Sequence, residues 1–143
     1  MYCNQADLIR LFGLSEVESL SQLDYPGNGT IDTVRVQAAC EYATQEIDAY
    51  LTFRYTLPIV SVPMVLTNKA ADIARYQLEH NAPREDVRQR YEDAIVWLKL
   101  VAAGKVGLGI GSNGTEVESS APDYSVDALH SEPVFTALAL MGF

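Results

Sequence analysis

Between Asp32 and Pro58 the apolar residues recur at helical spacing. In "VRVQAACEYATQEIDAYLTFR", Val36, Cys40, Ala43, Ile47 and Leu51 fall on one stripe. The segment is long enough for about five or six turns. Pro58 ends that option, because proline lacks the N–H and its ring collides with the preceding turn. "TLPIVSVP" is then β-branched and bounded by Pro58 and Pro63, so it reads as an extended connector. Pro63 suits the first turn of another helix. In that helix Leu66, Ala70, Ile73 and Ala74 share a face, and Ala70, Ala71 and Ala74 are small enough for a neighbour to approach closely. A striped helix must bury its stripe, so two long helices joined by a proline corner commit the chain to helix-on-helix packing.

The flanking segments extend the pattern. Asn4 with Asp7 forms a capping pair for a short helix carrying Leu8, Leu11 and Phe12, which Gly13 can end. Ser15 with Glu18 reads as a second capping box, opening "SEVESLSQL". "DYPGNGT" is a loop, and Asp32 is the next N-cap. Asn81 is a stop, and Pro83 starts "PREDVRQRYEDAIVWLKLVAAG", with Val87, Tyr91, Ile95, Leu98 and Ala102 in register and Gly104 as C-cap. The expected fold is all-α: a small bundle of four helices, two short and N-terminal, two to three long. Residues 1–105 form this helical domain. Residues 106–143 form a Gly/Ser-rich linker and an acidic arm with an apolar end, with a candidate hairpin turn at Asn113-Gly114. No apolar run reaches the ~20 residues of a membrane-spanning helix, and no basic-then-apolar leader opens the chain, so a soluble cytosolic product is expected.

Chemistry is sparse. "VGLGIGSNG" lacks the flanking strand, helix and lysine of a phosphate loop and reads as linker. His80 and His130 stand apart, at a helix end and in the arm. Cys3 and Cys40 fit no metal spacing and read as reduced thiols, with Cys40 on the buried side of its helix. Glu85-Asp86 and Glu92-Asp93 lie where Asp86 can reach Arg90 and Arg88 can reach Glu92, which makes a solvated ion-paired helix face. The expectation is no enzyme, no cofactor and no metal. Nineteen acidic residues against ten basic ones give a net charge of −9, unlike the basic patch of a nucleic-acid binder.

The tyrosines and arginines suggest contact surfaces instead. Tyr42, Tyr50, Tyr55, Tyr76 and Tyr91 fall on helices or their ends, where an amphipathic ring suits a core rim or an interface. Arg54 stands between Phe53 and Tyr55, and Arg75 beside Tyr76. Either both arginines are semi-buried and paired with acids such as Asp48 or Asp72, or they make simple surface pairs. The candidate corner or subunit interface is Tyr50, Phe53, Arg54, Tyr55, Leu57, Pro58, Arg75 and Tyr76. A candidate partner-docking arm ends the chain: Val134, Phe135, Leu138, Leu140, Met141 and Phe143; the alternative is that this apolar end folds back on the chain's own helices.

"ADLIRLFG", "EIDAYLTFRYTLPI", "VLTNKAADIARYQL" and "RYEDAIVWLKLVAAGKVGL", in that order, resemble a family of small proteins from Mu-like phages and prophages. The resemblance covers roughly residues 2–110, with a "GF" ending also typical. It implies a structural role like that of head–tail connector, adaptor or head-completion proteins. Such subunits form a ring beneath the portal, in the virion neck, after a stage in the host cytoplasm. The implied partners are further copies of the chain, the portal and other neck or tail proteins, with no sequence-specific nucleic acid and no membrane. An acidic subunit suits a lumen through which DNA must slide. The alternative is a non-enzymatic binding module or regulator acting on a soluble protein partner.

Overall fold

The computed structural model describes residues 1–22, 29–79 and 81–111. Among them are five helices and no sheet: α1 (Gln5–Phe12), α2 (Leu14–Ser21), α3 (Thr33–Leu51), α4 (Met64–Leu78) and α5 (Glu85–Ala102). The all-α architecture is as expected, but the count is five rather than four, with three long helices. The "DYPGNGT" turn from Asp24 to Asn28, both histidines, the Asn113-Gly114 turn and the arm residues Val134 to Phe143 lie outside the described residues.

Local chemistry sets most helix ends. Asn4 and Asp7 form a reciprocal capping box, each side chain accepting the other's backbone N–H at 3.1 Å. Gly13 ends α1 at a φ of 89° and serves directly as N-cap of α2. Helix α2 therefore begins before Ser15, so the expected Ser15–Glu18 box is absent, and the Ser15 carbonyl instead accepts the Ser19 hydroxyl at 2.8 Å. Asp32 caps α3 through the Arg35 N–H at 3.1 Å. The buried Ser21 hydroxyl accepts the Asp32 N–H at 3.1 Å and donates to the Glu18 carbonyl at 3.0 Å, joining the end of α2 to the start of α3. At the far end of α5, the Gly104 N–H meets the Val101 carbonyl and the Lys105 N–H meets the Leu100 carbonyl. This is a Schellman closure around Gly104 at a φ of 75°.

The core sits where α3, α4 and α5 meet. The five expected α3 residues, Val36 to Leu51, are all buried, and so are Leu66, Ala70, Ile73 and Ala74 of α4. Ala70, Ala71 and Ala74 have no exposed surface, consistent with a close approach of the neighbouring helices. In α5 the buried stripe is Val87, Ala94, Leu98 and Val101, while Tyr91, Ile95 and Ala102 flank it half-buried. The stripe is rotated from the expected one because Tyr91 is held at the rim by its hydroxyl. That group donates to Glu46 Oε1 at 2.9 Å, and the ring stacks on Tyr76 at 4.1 Å. Helix α1 buries only Leu8, and Leu11 is exposed. The N-terminal residues cross α3, with the Tyr2 N–H on Thr44 Oγ1 at 3.2 Å and the Tyr2 hydroxyl on Asp48.

Candidate functional site

The chain leaves α3 by a tight turn, with the N–H groups of Arg54 and Tyr55 both meeting the Leu51 carbonyl at 2.9 Å. It then runs through Leu57 and Pro58, across a cis bond, to Ile59. Tyr55 and Ile59 are buried anchors of this corner, while Tyr50 and Leu57 pack half-buried against the core. The Tyr55 hydroxyl accepts the Leu108 N–H at 3.2 Å, which fixes the segment after α5 to the end of α3. Between these anchors Phe53 stands out at 84% exposure, with Arg54, Pro58 and Val60 also exposed. The Arg54 guanidinium lies against Gly104, where an added Cβ would collide with it. A cation over the last carbonyls of α5 is electrostatically favourable.

Arg75 and Tyr76 are not part of this corner. They lie near the C-terminal end of α4, roughly 16 Å along the axis from Met64 at 1.5 Å per residue. The expected pairing of the two arginines with Asp48 or Asp72 is also not what forms. Arg54 is exposed and has no acidic partner among the described residues. Arg75 is buried, 2.6 Å from Glu16 and 3.7 Å from Asp86, with its guanidinium 4.7 Å over the Phe12 ring. Asp48 accepts from Tyr2, and Asp72 lies 3.6 Å from Arg90. Asp86 thus faces Arg75 rather than Arg90, whereas Arg88 does reach Glu92, at 2.6 Å.

Arg75 belongs to a charge cluster that joins three helices. Glu16 of α2 receives both Arg75 and Arg84, and Arg84 also grips Glu79. Glu79 is nearly closed off, with 6% of its side chain exposed, and its second oxygen accepts the Arg84 N–H at 2.9 Å. Burial alone would raise the Glu16 carboxyl, but Arg84 and Arg75 outweigh it and hold the group below its ordinary value. Asp72 goes the other way: burial raises it, and Arg90 and Lys69 only partly oppose that. No sequence pattern points to Glu16, because its contact with Arg75 spans 59 positions, whereas the Glu79–Arg84 pair spans only five.

Elsewhere, a surface cavity of about 360 Å³ lies where Met1 and Gln5 cross α3 beside Val36 and Cys40. Cys3 and Cys40 are free and buried. The neighbouring Cys40 side chain together with burial pushes the Cys3 thiol up. Among the described residues no three His, Cys, Asp or Glu side chains are grouped to hold a metal ion, and no helix is long and apolar enough to cross a membrane. What the geometry offers is a proline corner, a part-buried charge cluster and exposed apolar side chains at two ends of α3.

The family model described as Bacteriophage Mu, Gp36 matches residues 2–126. The chain belongs to this family. The match runs from the N-terminal capping box through the corner and α5 and on past Gly111, further than the four quoted segments alone reach. Among curated relatives, the chain is 41% identical over 119 residues to the Mu-like prophage FluMu protein gp36 of Haemophilus influenzae, covering 83% of each chain. It is 27% identical over 133 residues to Gene product J of Escherichia phage Mu, covering 87% of this chain and 94% of that one. This is a phage protein of the Mu-like group.

Proposed function

We propose that the chain is a non-enzymatic structural subunit of a phage neck, a head–tail connector that assembles as a ring of identical copies beneath the portal. Family membership over residues 2–126 carries this reading, together with relatives that are themselves phage and prophage products. The shape of the body supports it. Ring closure by identical subunits uses a heterologous contact, in which two different patches on one subunit meet. Phe53 at 84% and Val60 at 76% exposure mark one end of α3, and Val34 at 77%, with Tyr42 two turns on, marks the other. The net charge of −9 keeps a lumen wall from gripping phosphates. In this reading the subunit waits in the host cytoplasm, joins the portal and neighbouring neck or tail proteins, and ends in the virion.

Disruption of the gene in a productive phage tests the proposal by electron microscopy of the lysate. DNA-filled heads accumulating beside free tails, with joining restored by the chain supplied in trans, is the expected result. Normal tailed particles would contradict it and favour a regulator acting on a soluble protein partner.

A further inference from the structure

The corner end of the bundle carries a surface that no described residue covers. Arg54, Lys99 and Lys105 are exposed there and make no ion pair with a described residue. The Arg54 guanidinium rests on Gly104, so the cations gather around the closure of α5. Exposed apolar side chains adjoin them in sequence: Phe53 precedes Arg54, and Val96 and Leu100, one turn apart on α5, flank Lys99, at 84%, 55% and 36% exposure. Elsewhere the body's cations are largely taken up. Arg75, Arg84, Arg88 and Arg90 all face carboxylates, and Arg35 donates to the Leu78 carbonyl at 3.3 Å.

The chain supplies an occupant of matching chemistry. Residues 112–143 contain Glu116, Glu118, Asp123, Asp127 and Glu132 and no lysine or arginine, and then end in the uncharged "PVFTALALMGF". Acid precedes apolar in that segment, as cation adjoins apolar on the surface. The described chain also stops in the right place. Leu108 is bonded to Tyr55, the neighbour of Arg54, so the segment departs from the edge of the basic patch. From Gly111 to Val134 an extended chain spans roughly 75 Å, so reach is no constraint, and covalent attachment holds the segment at an effective concentration on the order of a millimolar.

We propose that residues 112–143 dock in cis on the corner of their own chain, the acidic part on Arg54, Lys99 and Lys105 and the apolar end on Phe53, Val96 and Leu100. The docking requires only residues of this chain and stands apart from the virion role.

Trp97 is the single tryptophan and lies one turn before Leu100, so it serves as an energy-transfer donor at the patch. The acceptor is a naphthalene sulfonate on Met141→Cys in the full chain, with Cys3 and Cys40 protected from labelling by burial. Strong sensitised emission is expected in native buffer, unchanged by an excess of unlabelled Trp97→Phe chain. Emission should fall by roughly half or more in 1 M salt, where the Debye length is about 3 Å. It should fall similarly in Lys99→Glu/Lys105→Glu, and in a variant with the five acids replaced by their amides, which leaves the helical body untouched. Native emission no stronger than that of the chain unfolded in urea overturns the proposal, as does emission indifferent to both sets of charge changes. Loss of emission on adding the Trp97→Phe chain overturns it in favour of a second copy as the docking site.

Discussion

Arg84 and Arg88 look alike from outside. Their side chains are 50% and 45% exposed, and each meets two carboxylates. They differ in what they neutralise. Arg88 pairs with Glu85 and Glu92, at 75% and 48% exposure, which water solvates without help. Arg84 pairs with Glu79 at 6% and Glu16 at 24%. Arg84→Ala takes the guanidinium off the Glu79 carboxylate and leaves it only the backbone N–H of position 84 as partner. Breaking a fully buried pair costs about 3–5 kcal/mol. Arg84 is itself half solvated and Glu16 retains Arg75, so we discount this to about 2 kcal/mol. At an m-value of 1–3 kcal/mol/M, the urea midpoint then drops by about 1 M. Arg88→Ala should leave the midpoint indistinguishable from the parent. Circular dichroism at 222 nm during urea titration measures both. Adding Glu79→Gln to Arg84→Ala removes the stranded charge and should recover much of the loss in a double-mutant cycle. Equal effects of Arg84→Ala and Arg88→Ala, or no recovery in the double variant, would refute the assignment of cost to the closed-off carboxylate.

Three further outcomes are expected. Glu16 has a lowered carboxyl, so its contribution is fully present above the unfolded value of about 4.3 and is lost as pH falls through the lower folded value. Glu16→Gln should therefore flatten the acid limb of stability between about pH 4 and lower pH in urea titrations, and an unchanged limb would count against the cluster. Tyr55→Phe leaves the buried Leu108 N–H without its acceptor, so a loss of about 1–3 kcal/mol is expected, with faster amide exchange at Leu108. Ala74→Leu forces extra volume into the closed α4 face and should cost about 1–3 kcal/mol in the same denaturation assay, whereas the exposed Val60→Leu should not.

The features legible in the sequence were those whose causes lie within a few residues. Asn4 and Asp7 are three positions apart, Asp32 caps the helix it precedes, and the α3 and α4 stripes repeat every turn, so each could be read from spacing. The Ser15–Glu18 box failed for a local reason as well: Gly13 adopts a φ open to glycine and starts α2 earlier. The candidate corner divided because sequence neighbours in type need not be neighbours in space. Arg54 and Arg75 stand beside tyrosines alike, but α4 carries Arg75 away to Glu16 and Phe12. Partners such as Glu16 for Arg75 and Arg84, and Gly104 for Arg54, are set by how the helices come together, which no pattern in one segment encodes; the Glu79–Arg84 pair spans only five positions and was simply not read.

The neck reading is tested most directly by the native mass of the portal ring from the same genome, mixed with this chain with and without residues 130–143. A discrete increment of many copies on the ring, lost on truncation, is the predicted result. No increment with either form of the chain would contradict a place beneath the portal.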